Sequence, residues 1–469
     1  MSKLKKLISM VLIAAFMTAT VPTGALLQEP AYAKAAAPSV QAKAYVVMDA
    51  NSGIVLYKKN MNKTIYPAST VKLMTAIIAL DNAALNKKIK FTKNMRKKIP
   101  SDASKLGLRA GTTYTVNQYL HMMLISSDAD SAMALACGTA QNYNQFIDLM
   151  NDKAESYGMD NTSFDNPIGL DKGNGYDETY TSAYDFAVLA RHAMSYSSIR
   201  SIVAKNKYKV PARSGKPSFI IRNTNQFYST YKLKNKTYEI IGSKTGTTSA
   251  AGHVLIATAK DKKGHELVCA YFGGNTSVEL YGGIEELLDY AFEQNDEGKT
   301  KLALGFWDTR YRKSESAVCK YASSEIIPMT ANGKFNPERI KSAVFTMDMI
   351  NKISGLKMTV EEADSLTVAN LAIAYYNTSM EYPDGSSVAT GGALNATTQQ
   401  PSSSTEGALS DYEIGILNTL KGIENFSIDK QRKIAYLYLS KAMEVTGITD
   451  VEHELSKEEA VLIADSFAL

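Results

Sequence analysis

The sequence predicts an α+β fold. β-rich segments lie at both ends of an N-terminal body, residues 34–295, and apolar helical segments lie between them, so one sheet is closed by its first and last strands. A C-terminal part, residues 296–469, reads as all-α. Composition supports a sizeable core: of 469 residues 45% are hydrophobic, 21% are charged and only 12 are proline, which excludes a wholly disordered or collagen-like chain. At about 150 residues per domain, the length fits three domains, or two with processing and linker segments.

Taken in order, residues 1–33 carry a basic start (Lys3, Lys5, Lys6), an apolar run over 7–21 and the small-residue site Ala31-Tyr32-Ala33. This pattern predicts a secretory signal peptide. A retained N-terminal anchor is the alternative, although the run falls short of the ~20 residues a spanning helix needs. Either way the body is exported. Residues 44–57 are then two β-rich runs separated by an Asn51-Ser52-Gly53 turn, which predicts a hairpin. A buried helix is expected over 71–80, where apolar residues run without Gly or Pro after Pro67-Ala68-Ser69-Thr70. Further helices are expected at 116–137, 142–157, 181–195 and 279–293, and strands at 237–243, 252–260 and 266–273.

The C-terminal part divides into a helical extension (296–380), a flexible linker (381–410) dense in Ser, Thr, Gly and Pro, and a second helical unit (411–469). The two units share a loose pattern, Phe335-Asn-Pro-Glu-Arg-Ile-Lys recurring as Phe426-Ser-Ile-Asp-Lys-Gln-Arg. Thr359 with Glu362 and Ser456 with Glu459 each have capping-box spacing. Charge separates the two bodies as well. Residues 34–295 hold 32 Lys+Arg against 22 Asp+Glu, whereas 296–469 hold 17 against 24. The total of +5 is too small to imply nucleic acid. Cys137, Cys269 and Cys319 are far apart, so neither a disulfide framework nor a CxxC site is on offer.

Three motifs can carry chemistry. In Ser69-Thr70-Val71-Lys72 a helix starting at Ser69 puts the lysine one turn on, on the same face, where its amine reaches the hydroxyl. Burial or a nearby cation can keep that amine partly neutral, and so able to take the serine proton. In Lys244-Thr245-Gly246-Thr247, on a strand edge, a lysine, two hydroxyls and a glycine form a cradle for a carboxylate. In Ser126-Ser127-Asp128-Ala129-Asp130-Ser131 a polar cluster enters the apolar helix at 132–136. Alone, each also describes a capping serine with a surface lysine, a turn or a polar N-cap. Their order lifts them, with 58 residues from Ser69 to Ser127 and 117 more to Lys244. This is the SxxK, serine-containing, KTG series of penicillin-recognising enzymes.

From about Lys43 to Gln294 the chain resembles the serine D-alanyl-D-alanine carboxypeptidases, or low-molecular-weight penicillin-binding proteins. The likeness covers Val47-Met-Asp-Ala-Asn-Ser-Gly53, Pro67-Ala-Ser-Thr-Val-Lys-Leu-Met-Thr75, Tyr157–Leu170 and Gly242–Gly252. It implies a penicillin-binding/β-lactamase-like catalytic domain, an antiparallel sheet flanked by helices plus an all-α part. It also implies a reaction in which Ser69 attacks the carbonyl between the last two D-alanines of a peptidoglycan stem peptide. Lys72 would be the base and Ser127 the proton relay. Lys244, Thr245, Gly246 and Thr247 would hold the terminal carboxylate, with the N–H groups of Ser69 and Thr247 as oxyanion hole. β-Lactams would be covalent inhibitors, and no metal or organic cofactor is called for.

One departure stands out. The family pattern Ser-x-Asn lacks its asparagine here. Alignment on the following helix puts Ser127 on the motif serine and Ala129 on the asparagine, while a slip of one residue offers Ser126 with Asp128. Two other readings compete, a β-lactamase-like hydrolase and a wall-binding pseudoenzyme whose helical tail does the work. The five histidines show no metal or triad spacing. Because residues 456–469 carry one lysine against three acids, no C-terminal membrane anchor is expected. The tail reads instead as an interaction module on a catalytic body able to act alone.

Overall fold

The computed structural model describes residues 38–171, 178–213, 217–312, 315–330, 333–335, 349–353 and 455–467, with the single residues 367, 371 and 434. The expected signal peptide, the Thr359/Glu362 box and the 381–410 linker lie outside them.

The sheet has five antiparallel strands in the order β2-β1-β9-β8-β7, with β1 Ala44–Asp49, β2 Val55–Lys59, β7 Tyr238–Thr248, β8 Gly252–Asp261 and β9 Glu266–Gly274. The N-terminal hairpin is joined to the three late strands through β1 and β9, as expected from strands at the two ends of the body. Both faces are covered. On β1, Ala44, Val46 and Met48 enter one core and Tyr45 and Val47 the other, and on β9, Val268, Ala270 and Phe272 alternate with Leu267, Cys269 and Tyr271. A strand buried on both sides reads as a continuous apolar run. One face packs on the long helix Ser277–Asp296, where Ile284, Leu287 and Leu288 are buried.

The other face carries the larger, helical part. At its centre is α1, Lys72–Asn82, whose residues from Lys72 to Ala79 are all buried. Around it stand α2 Lys93–Lys97, α3 Val116–Ser126, α4 Ala129–Thr139, α5 Tyr143–Ser156, α6 Ala183–Ala193 and α7 Ser197–Val203. The helix on the opposite face is α8 (Ser277–Asp296). Sequence patterning did not reveal two small two-stranded sheets, β3 Lys88–Lys90 with β4 Thr113–Thr115, and β5 Lys207–Val210 with β6 Phe219–Arg222. Strands of three or four residues are too short to show a period.

The single helix expected over 116–137 is two. Ser127 takes a left-handed conformation, φ 60° and ψ 28°, and ends α3. Asp128 then caps α4, its carboxylate accepting from the Ser131 N–H at 2.9 Å. The polar cluster at 126–131 is therefore a break between helices, because a side-chain cap competes with continuation of the helical ladder.

Beyond α8 the chain returns to the sheet. Ala303 N donates to Asp49 Oδ2 at 2.8 Å, and Asn51 Nδ2 donates to Ala303 O at 2.9 Å. Arg310 Nη2 lies 2.7 Å from Glu266 Oε2 and 2.8 Å from Asn51 Oδ1. Arg191 of α6 pairs with Glu315 at the start of α9, Glu315–Ser323. The last helix, α10 Lys457–Phe467, lies against α9: Arg312 pairs with Glu458 at 2.7 Å, and the Tyr321 hydroxyl donates to Asp465 at 2.7 Å. At its start, Ser456 Oγ accepts from Glu459 N at 3.2 Å and Glu459 Oε2 from Ser456 N at 2.8 Å, the capping box expected from the spacing. No helix among the described residues is long and apolar enough to cross a membrane.

Candidate active site

Ser69 lies in a 3₁₀ turn, Ala68–Val71, that leads into α1. In such a turn residues three apart eclipse one another. Lys72, the first residue of α1, thus stands beside Ser69, Nζ to Oγ 2.8 Å. The turn is strained and is held by close packing. Ala68 has φ +49°, sparsely populated for a residue with a Cβ. Thr70 Oγ1 donates back to Pro67 O.

Lys72 is buried, and its amine makes a second bond at 2.7 Å to the carbonyl of Ile168. That carbonyl belongs to a loop organised by Asn166, whose Oδ1 accepts from the N–H groups of Ile168, Gly169 and Leu170 at 3.1, 2.7 and 3.1 Å. Gly169 has φ +86°, and a Cβ there would lie 1.9 Å from Ala68 O. Only glycine lets this loop lean on the Ser69 turn. Burial lowers the Lys72 pKa to about 7, against the opposing charge of Asp128. Burial, and then the neighbouring Asp130, raise Asp128 to about 6.

The second and third motifs meet across the same cleft. Lys244, on edge strand β7, is buried and donates to Ser127 Oγ at 2.9 Å and to Thr245 O at 2.7 Å. Burial and the nearby Lys72 lower its pKa well below the usual lysine value. Ser126 points elsewhere, its hydroxyl donating to Met122 O one turn back in α3 at 2.8 Å. Of the two serines the sequence offered, Ser127 is the one in the cleft. β7 reaches the Ser69 turn through Gly246, where a Cβ would stand 2.9 Å from Ala68 Cβ and 3.0 Å from Ser69 N. Thr247 is exposed at the mouth, its hydroxyl bonded to Gly246 O at 2.8 Å.

Ser69, Lys72, Ser127 and Lys244 thus converge, with Thr245, Gly246 and Thr247 along one wall. Ala129, standing where the asparagine was expected, is buried at the start of α4, and its N–H donates to Ser104 O at 2.9 Å. Sequence reasoning missed two participants. One is the Ile168 carbonyl, signalled only by Asn166-Pro-Ile-Gly169. The other is Thr224, whose hydroxyl lies 2.6 Å from that of Thr245 and which follows β6 with no motif to mark it. Among the described residues no group of three His, Cys, Asp or Glu is arranged to hold a metal.

The turn carrying Ser69 at a helix start, the lysine beside it, and the serine and lysine facing it from a helix break and an edge strand stand on an α+β fold of the penicillin-binding type. The family model for D-alanyl-D-alanine carboxypeptidase matches residues 31–276, and the chain belongs to this serine-type family. It is 32% identical over 258 residues to the D-alanyl-D-alanine carboxypeptidase DacF of Bacillus subtilis, covering 54% of this chain and 63% of that protein. To DacB2 of Mycobacterium tuberculosis, also a D-alanyl-D-alanine carboxypeptidase, it is 30% identical over 237 residues, 50% of this chain and 76% of the relative. The chain spans less than two thirds of the length of the first curated relatives, 63% and 65%. Among solved structures, that of a Streptomyces DD-transpeptidase matches with a TM-score of 0.50 at 26% identity, covering 55% of this chain and all of the other. The α+β fold of the penicillin-binding type is the one expected from the sequence.

Proposed function

We propose that this protein is an exported serine D,D-carboxypeptidase that removes the terminal D-alanine from peptidoglycan stem pentapeptides. The observation that carries this reading is the pair of contacts facing one cleft, Ser69 Oγ to Lys72 Nζ at 2.8 Å and Ser127 Oγ to Lys244 Nζ at 2.9 Å. Neutral Lys72 takes the proton of Ser69 as Oγ attacks the carbonyl between the two D-alanines. The negative oxygen of the adduct is held by the N–H groups of Ser69 and Thr247. As the C–N bond breaks, Ser127 gives its proton to the departing amine and recovers one from Lys72. Lys244 with the hydroxyls of Thr245 and Thr247 holds the carboxylate of the leaving residue. Water then attacks the ester carbonyl and its proton passes to Lys72; as the ester C–O bond breaks, Lys72 gives that proton to Ser69 Oγ, and the acid product leaves. A β-lactam enters the same sequence when its ring amide opens onto Ser69.

The loop at 165–170 favours this reading over a β-lactamase. The group it presents to Lys72 is a main-chain carbonyl, whereas rapid release of a penicilloyl ester in class A enzymes draws on a carboxylate-activated water. Mass spectrometry of the intact mature chain tests the reading. Benzylpenicillin should add its full mass to a peptide containing Ser69, and a stem pentapeptide should lose one D-alanine. A chain that does neither would be the wall-binding pseudoenzyme, and one that turns penicillin over without accumulating adduct would be the β-lactamase.

A further inference from the structure

The basic excess of the first body is localised. Between Asp185 and Glu239 the chain has eleven Lys/Arg and no carboxylate, although 47 Asp+Glu in 469 residues would place about five there. Residues 83–127 add nine Lys/Arg against one acid, Asp102. The fold lays these segments side by side. The β5–β6 hairpin is seated on α3 and β4, with the Tyr208 ring stacked on His121 at 4.2 Å and Arg213 Nε donating to Thr113 O at 3.3 Å. Thr113 is in turn the register partner of Lys90 on β3.

Arg191 and Arg200 are paired with Glu315 and Glu266. Lys207, Lys209 and Arg222 are exposed, and none of the three is in an ion pair among the described residues. Lys207 sits opposite Arg222 in the hairpin, and Lys209 opposite exposed Ile220. Lys88 and Lys90 continue the exposed cations on β3. Like charges gathered this way repel one another in the folded state and are offset only by an external anion.

Along a strand, side chains on one face recur about 7 Å apart. An extended phosphodiester chain with a three-carbon repeat presents its charges at a comparable interval. We infer that the β5–β6 face and adjoining β3 bind a linear phosphodiester polymer and lead it to the mouth of the active site, where Thr224 follows β6 and touches Thr245. Ammonium and guanidinium groups hold phosphodiesters by charge-assisted hydrogen bonds and displace counterions in doing so. A bilayer fits the face less well. The exposed large apolar side chain that shares the face of Lys207, Lys209 and Arg222 is Ile220, far less than the apolar stripe of an interfacial helix. Single-stranded nucleic acid would be met by several stacking rings, and no ring stands among Lys207, Lys209, Ile220 and Arg222 on this face.

The test is fluorescence polarisation of labelled poly(glycerol phosphate) with the full mature chain. Binding is expected at about 50 mM salt and should weaken steeply as salt rises. Combining Lys207→Gln, Lys209→Gln and Arg222→Gln should weaken it roughly tenfold or more. Combining Lys58→Gln, Lys59→Gln and Lys63→Gln, at the opposite edge of the sheet, should leave it nearly unchanged. Benzylpenicillin acylation should be normal in the hairpin variant, so failure of the surface and failure of the catalytic reading are told apart. No binding, equal loss in both triple variants, or tighter association with phosphatidylglycerol vesicles or oligothymidylate than with the polymer would overturn the inference.

Discussion

At the scale of single residues, the proposed reaction rests on what burial does to Lys72. With its pKa brought to about 7 by burial, Lys72 is a base above that pH and an ammonium below it. Acylation by benzylpenicillin should therefore rise with pH through about 7 and level off. Stopped-flow rates flat from pH 5 to 8 would mean that another base is at work. Ser69→Ala should abolish labelling, and Lys72→Ala should reduce it by orders of magnitude while the thermal transition persists. Ser127→Ala should slow acylation by roughly 10²–10⁴, the range of general acid–base groups. Ser126→Ala is expected to cost far less, because that hydroxyl is spent on Met122 O within α3. Equal, small effects of the two would remove the second motif from catalysis.

At the scale of elements, the site depends on close approach of backbones. The loop at 165–170, the 3₁₀ turn at Ala68–Val71 and edge strand β7 touch through positions where a methyl group has no room, Gly169 and Gly246. Gly169→Ala meets both a positive φ and a carbonyl oxygen 1.9 Å from the new Cβ. A loss of about 2 kcal/mol or more in denaturant unfolding is expected. The remaining folded enzyme should acylate slowly, because the Ile168 carbonyl that fixes Lys72 is displaced. Wild-type values for both measurements would show that the loop does not position the lysine.

At the scale of the whole molecule, the segment after α8 is bound to the first body by buried charge. Burial alone would raise the pKa of Glu266, but Arg310 and Arg200 outweigh it and hold the carboxyl at about 2. Its folded value lies below its unfolded one, so the contribution to stability is full above the ordinary glutamate range, near pH 4.5, and fades as pH falls toward 2. Removing one partner of such a pair leaves a buried charge poorly compensated, at about 3–5 kcal/mol. A chain ending at Gly298 loses Arg310 and Glu315 together. It is expected to melt several degrees lower at pH 7 than the full mature chain and to lose that difference as the pH falls through the acidic range. Penicillin acylation of its folded fraction should persist, since none of the described residues of the lost segment is hydrogen-bonded to Ser69, Lys72, Ser127 or Lys244. Identical melting curves at pH 7 would show that the docking adds nothing to stability.

By itself the sequence determined what depends on neighbours along the chain. Ser69 and Lys72 are one turn apart, so their contact follows from helical geometry wherever the turn is placed. The β-rich runs that form β1 and β9, the Ser456 capping box and the separation of charge between the two bodies were legible for the same reason. Tertiary structure decided the contacts between distant segments. Ser127 meets Lys244 across 117 residues only because a break between two helices, which patterning had merged into one over 116–137, faces the edge of a sheet. Ile168 and Thr224 enter the site through a main-chain carbonyl and a lone hydroxyl, groups with no signature of their own. Strand register and helix packing fix such meetings, and these are set by how the two cores fill, a property of the folded volume that no short window of sequence contains.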